Sequence, residues 1–263
     1  FISQAGLVAP LCINAASSTD TSSWREMNAE AAPLEPKLIS REPPEVRAGF
    51  ITKVYGILTA QLLLTAAVAA PFVLSTSVKA WVQTHGFPVV VGATVLNIVL
   101  LCLMMCPCGC ENNMRRFPRN YLLLGAFTAT EGVLVGVCCA AYTVSSVALA
   151  VALTGVLVGG LTFYAFVTKT DFTGFGPYLF AACLVLMFFG IFLMFVQSPL
   201  MHKVYCCIGI LVFSFYLIFD TQLIVGKGQN SLGVDEYAFA ALQLYIDIIQ
   251  LFLYTLQLFG DRN

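Results

Sequence analysis

Charge is what this chain of 263 residues has least of: Asp, Glu, Lys and Arg together make up 10% of it, against roughly 25% in an ordinary soluble domain. With 13 basic and 14 acidic side chains the net charge is −1. No basic stripe tracks a phosphate backbone, which excludes nucleic acid as a partner. Histidine is almost absent: His85 and His202 are the two present, and both read as loop residues, the sharper alternative being a sensor of pH on the face they share. There is no His-Glu-x-x-His helix and no Gly-x-Ser-x-Gly elbow. The turns Gly174-Phe-Gly and Gly226-Lys-Gly lack the strand and the remaining glycines of a nucleotide fingerprint. The reading is therefore of a protein that is not an enzyme.

What the chain has in abundance is apolar length. Hydrophobic residues make up 59%, and the mean hydropathy is +0.87. Runs of about 20 apolar residues, enough to cross a bilayer as a helix, fall at 54–75, 88–106, 120–142, 145–167, 176–196, 204–225 and 237–259. Their connections are short and rich in Gly, Pro and charge, which suits adjacent antiparallel helices. The expected fold is an all-α membrane protein, a bundle of seven transmembrane helices. Ahead of it, residues 1–46 are dominated by Ser, Thr, Ala, Glu and Pro and read as a disordered cytosolic tail, leaving 47–263 as the transmembrane domain. Lys37, Arg41, Arg47, Lys53, Arg115, Arg116, Arg119, Lys169 and Lys227 gather on the side of the N-terminus, against Lys79, Lys203 and Arg262 opposite. That bias places the N-terminus in the cytosol.

Three carboxylates are stranded inside these apolar runs: Glu131, Asp220 and Asp247. Each costs roughly 2.5–3.5 kcal/mol at the centre of a membrane helix, so residues of this kind normally face a polar interior and serve a function. The seventh run adds a stripe. Gln243, Asp247, Gln250, Tyr254 and Gln257 recur at spacings of four and three, which puts all five on one helix face, and that face must look into the bundle. Asp247 falls ~15 Å and Asp220 ~8 Å from the cytosolic ends of their helices, the start of the seventh run and the close of the sixth, near enough for the two to touch and share a proton. No Lys or Arg lies inside any run to neutralise them, so a cation would supply the missing charge. Glu131 is one turn from Thr128, and Asn97 is the main polar residue of the second run; both are candidates for an ion path or for hydrogen bonds between helices.

Cysteine offers less. Cys106, Cys108 and Cys110 form a juxtamembrane run beside Arg115 and Arg116, without a histidine to complete a zinc site. Lipidation there or plain thiols are the two readings, and Cys138, Cys139, Cys183, Cys206 and Cys207 read as apolar fillers. Gly132-x-x-x-Gly136 and Gly155-x-x-x-Gly159 fit close helix packing.

Four stretches carry a resemblance: Arg47-Ala-Gly-Phe-Ile-Thr-Lys-Val-Tyr-Gly-Ile-Leu-Thr-Ala-Gln-Leu-Leu-Leu-Thr, Thr170-Asp-Phe-Thr, Phe219-Asp-Thr-Gln-Leu-Ile-Val-Gly and Tyr245-Ile-Asp-Ile-Ile-Gln-Leu-Phe-Leu-Tyr. From Arg47 onward the chain resembles the transmembrane Bax-inhibitor motif family, nearest its lifeguard branch. The resemblance implies that the seventh helix is central and that the protein sits in the endoplasmic reticulum or Golgi as a pH-sensitive calcium leak that suppresses apoptosis. It implies Asp220 and Asp247 as the pH sensor, which makes them the candidate transient Ca2+ ligands; by their own polarity inside the runs, Glu131, Asn97, Gln243 and Gln250 are further ion-path candidates. No cofactor is implied beyond Ca2+ as the permeating ion; the partners are membrane lipid, Ca2+ and apoptosis-regulating membrane proteins. The chain departs from the family pattern where Gln250 replaces the usual asparagine after Asp-Ile-Ile and Gln257 a late basic residue. Two rivals are weighed. An intramembrane aspartyl protease also pairs two aspartates, but it sets the second in Gly-x-Gly-Asp with a Pro-Ala-Leu after it, whereas here the second lies in Tyr-Ile-Asp-Ile-Ile. A non-conducting anti-apoptotic interaction protein fits the same fold.

Overall fold

The computed structural model describes residues 38–105, 114, 117–196, 198–227 and 231–262. Among them seven helices are long and apolar enough to cross a membrane: α1 (Pro44–Leu74), α2 (Thr76–Met105), α3 (Arg119–Ala140), α4 (Val144–Val167), α5 (Gly176–Phe195), α6 (Pro199–Val225) and α7 (Tyr237–Phe259). The chain is an integral multi-pass membrane protein. Most of the expected tail, and the Cys106, Cys108 and Cys110 run, lie outside the described residues.

Local chemistry sets the helix ends. Proline opens α1, α5 and α6, where its missing N–H leaves no bond unmade. Thr143 caps α4 by accepting from Ser146 N at 3.3 Å. Gly226 closes α6 at φ +70°, the left-handed turn that glycine adopts without strain. A Cβ there would meet Ile39 Cγ2 at 2.7 Å.

α1, α2 and α6 begin at Pro44, Thr76 and Pro199, earlier than the 54, 88 and 204 expected from hydropathy. The extra turns carry Arg47, Lys79, His85 and Lys203, polar residues tolerated where a helix meets the membrane surface. In α2 the Trp81 and His85 rings stack one turn apart at 5.2 Å, and Pro88 is carried inside the helix.

Two short straps close the faces. On the N-terminal side, Ile39 N donates to Leu232 O at 2.9 Å, and the Ser40 and Ser231 hydroxyls meet at 2.8 Å. Residues 38–42 thus pack on the α6–α7 loop. On the opposite side, Thr143 N donates to Asp261 O at 3.1 Å and Asp261 N to Ser146 Oγ at 2.9 Å.

α7 is the least apolar span, with a hydropathy of 1.5 against 2.6 for the segment containing α5, and it is the most buried. It packs against α1, α3, α4 and α6, and Ala238, Ala240, Ala241, Leu242 and Tyr245 are fully enclosed. Lipid is as apolar as leucine, so apolarity does not draw a helix inward; polar and small side chains do. The central place expected for the seventh helix is where the structure puts it. α4 and α5 turn most of their surface outward, as Val156, Phe163, Phe188 and Phe195 do. α1 and α3 approach closely through Gly132 and Gly136, and a Cβ on Gly136 would lie 2.6 Å from the Phe72 ring. Gly155 and Gly159, by contrast, face open space.

Candidate functional site

Asp220 on α6 and Asp247 on α7 are brought together. Both side chains are buried, at 3% and 4% exposure, and their carboxyls lie within hydrogen-bond reach of each other. Gln243, one turn before Asp247, places its Nε2 3.5 Å from Asp220 Oδ1. Asp247 Oδ2 has no partner. Among the described residues no Lys, Arg or His reaches either carboxyl. Cys183 of α5 and Tyr216, one turn before Asp220, stand beside the pair.

The oxygen count limits what such a site holds. No group of three or more His, Cys, Asp and Glu is clustered among the described residues, whereas a Ca2+ storage site supplies six to eight oxygens.

Gln222, half a turn beyond Asp220, was not singled out from sequence. Its Oε1 accepts from Phe172 N at 2.8 Å, and its Nε2 donates to Thr170 O at 2.9 Å. The α4–α5 connection is therefore bolted to α6 beside the acid pair. Within that connection Asp171 Oδ1 accepts from Thr173 N at 2.8 Å and Thr173 Oγ1 at 2.7 Å, ahead of the short 3-10 turn Thr173–Phe175 that leads into α5. Two of the quoted motifs thus form one contact.

Glu131 and Asn97 are paired with each other. Asn97 Nδ2 of α2 donates to Glu131 Oε2 of α3 at 2.7 Å, and neither residue hydrogen-bonds to an aspartate. Around them runs a belt that sequence did not reveal: Gln61 Nε2 donates to Thr128 Oγ1 at 3.1 Å, and the Thr65 and Tyr245 hydroxyls meet at 2.7 Å. The α7 stripe accordingly divides. Gln243 and Asp247 turn to Asp220, while Gln250, Tyr254 and Gln257 line a cavity together with Glu131.

His85 is exposed, with Nδ1 2.7 Å from Thr84 Oγ1; His202 borders the cavity. At the same end, the Arg262 guanidinium lies over the Tyr142 ring, 5.8 Å from its centre. Its hydrogen bond to Tyr142 holds the guanidinium above its ordinary range, and burial pushes the Tyr142 phenol up. Cys138, Cys139, Cys183 and Cys206 are free, buried or half-buried thiols.

Residues 47–263 match the family described as Inhibitor of apoptosis-promoting Bax1. Protein lifeguard 3 of Homo sapiens is 35% identical over 223 residues, covering 83% of this chain and 70% of the human protein. The protein of the same name in Mus musculus is 34% identical over 223 residues, with coverage of 83% and 71%. Protein LIFEGUARD 3 of Arabidopsis thaliana is 36% identical over 219 residues, covering 82% of this chain and 85% of its own length.

Proposed function

This chain belongs to the inhibitor of apoptosis-promoting Bax1 family, which makes it an anti-apoptotic membrane protein, and we propose that it works as a passive, proton-controlled Ca2+ path. The observation that carries this reading is the Asp220 and Asp247 pair, two buried carboxyls in mutual reach with no basic partner among the described residues. Such a pair holds a proton between its oxygens or offers them to a cation, and the two occupants exclude one another. Gln243 steadies Asp220, and the partnerless Asp247 Oδ2 is the oxygen free to meet an ion. Few ligands mean weak binding, and weak binding lets an ion leave as readily as it enters.

The proposed setting is an internal membrane, endoplasmic reticulum or Golgi, with the N-terminus in the cytosol. In support, Arg41, Arg47, Lys53, Arg119, Lys169 and Lys227 lie on the N-terminal side, against Lys79, Lys203 and Arg262 on the other. The test is release of Ca2+ from loaded liposomes containing the purified protein. Release faster than from protein-free vesicles supports a leak; equal rates overturn it and favour a non-conducting interaction protein.

A further inference from the structure

A cavity of about 520 Å3 occupies the other half of the bundle, and neither Asp220 nor Asp247 lines it. Tyr142, His202 and Arg262 border it at the C-terminal face, and it runs between α3, α5, α6 and α7 to Glu131 and Gln250. Glu131 lies ~14 Å below the end of α3, so its carboxyl forms a floor near mid-membrane. The volume falls in the range that encloses a small organic molecule, roughly 300–1,000 Å3.

The lining has a definite chemistry. Leu134, Leu186, Met187 and Leu253 make apolar walls. Tyr205, Tyr254 and Phe213 form an aromatic cluster beside them, with Tyr205 edge-on to Tyr254 at 5.5 Å and Phe213 at 5.9 Å from Tyr254. At the bottom, Glu131 is 5% exposed and receives one hydrogen bond, from the neutral Asn97 amide. Among the described residues no cation meets it. A carboxylate buried at membrane depth calls for a positive partner, and aromatic faces attract cations as well.

We propose that this cavity binds a small amphiphilic amine, with the ammonium on Glu131 and the apolar body between the leucine, methionine and tyrosine walls. The order of charge along the cavity sets the orientation. Arg262 stands at the rim, tied to Tyr142, and Glu131 at the floor, so the amine enters first and the neutral end stays outward. An anionic ligand would hold its charge at Arg262 on the rim and leave Glu131 at the floor without a positive partner. This inference does not rest on the Ca2+ reading, since binding is measured without ion flux.

The test uses the purified full chain in lipid nanodiscs and follows thermal unfolding in the presence of phenylbutylamine or of phenylbutanol, which has nearly the same size and no charge. The amine should bind at least about tenfold more tightly, because a hydrogen bond to a charged group is stronger than one between neutral groups. Glu131→Gln should erase that preference while leaving binding of the alcohol unchanged. Equal binding of amine and alcohol to the wild type, or a preference that survives in Glu131→Gln, overturns the proposal. Should the variant not fold, a diazirine-bearing phenylbutylamine decides the matter on the wild type. Labels on Leu186, Met187, Leu253 or Tyr254 support the site; labels confined to the outward Phe188, Phe192 and Phe195 refute it.

Discussion

Arg47, in the first turn of α1, donates from Nη2 to the main-chain oxygen of Val225, the last residue of α6, at 2.6 Å. The final carbonyls of a helix have no partner within it and carry the negative end of its dipole, so a guanidinium is well matched to that position. Because Asp220 sits one turn before this end, the bond also fixes the height of the acid pair against α1. Arg47→Met should destabilise the fold by about 1–3 kcal/mol, the cost of leaving a carbonyl unsatisfied. Thermal unfolding in detergent or nanodiscs checks this, and an unchanged midpoint would refute it.

Gln222 makes a sharper prediction because both ends of its amide are occupied by the backbone of the α4–α5 connection. Gln222→Leu keeps the shape and removes both bonds, so amide hydrogen exchange at Phe172 should accelerate well before the helices open. Exchange at wild-type rates would show that the connection holds without it.

The two glycine pairs on α3 and α4 should respond differently. Gly136→Ala places a methyl group 2.6 Å from the Phe72 ring and should cost about 1–3 kcal/mol through forced displacement of α1. Gly155→Ala meets nothing within 4 Å and should leave stability unchanged or slightly raised. Equal effects at the two sites would contradict the intramolecular packing of α1 on α3.

Much of this arrangement is legible in the sequence, for identifiable reasons. Hydropathy locates seven spans because each crossing needs a long apolar run, and depth along α6 and α7 brings Asp220 level enough with Asp247 to meet it. The stripe on α7 marks it as interior because lipid rejects five polar residues on one face. The early starts of α1, α2 and α6 were hidden, since Arg47, Lys79 and Pro88 look like loop chemistry while the membrane surface accepts them in a helix. Gln222 was hidden because a side chain that bonds to backbone leaves no partner residue to find. The pairing of Asn97 with Glu131 depends on which faces of α2 and α3 meet, and spacing within one helix does not report that.

Topology offers an independent check. Single cysteines placed at Lys53 and at Arg262 should label from opposite sides of a sealed vesicle, Lys53 from the cytosolic side. Labelling of both from one side would contradict an odd number of crossings.

The central claim is that Asp220 and Asp247 act as one proton-controlled unit in a Ca2+ path. Its most direct measurement is Ca2+ efflux from proteoliposomes across a range of pH, for the wild type and for Asp220→Asn and Asp247→Asn, each verified to be folded. Removing one carboxyl abolishes the shared-proton equilibrium. The wild type should show a rate that changes with pH, and both variants a rate that is nearly flat over the same range; a wild-type pH profile in both variants would contradict the account.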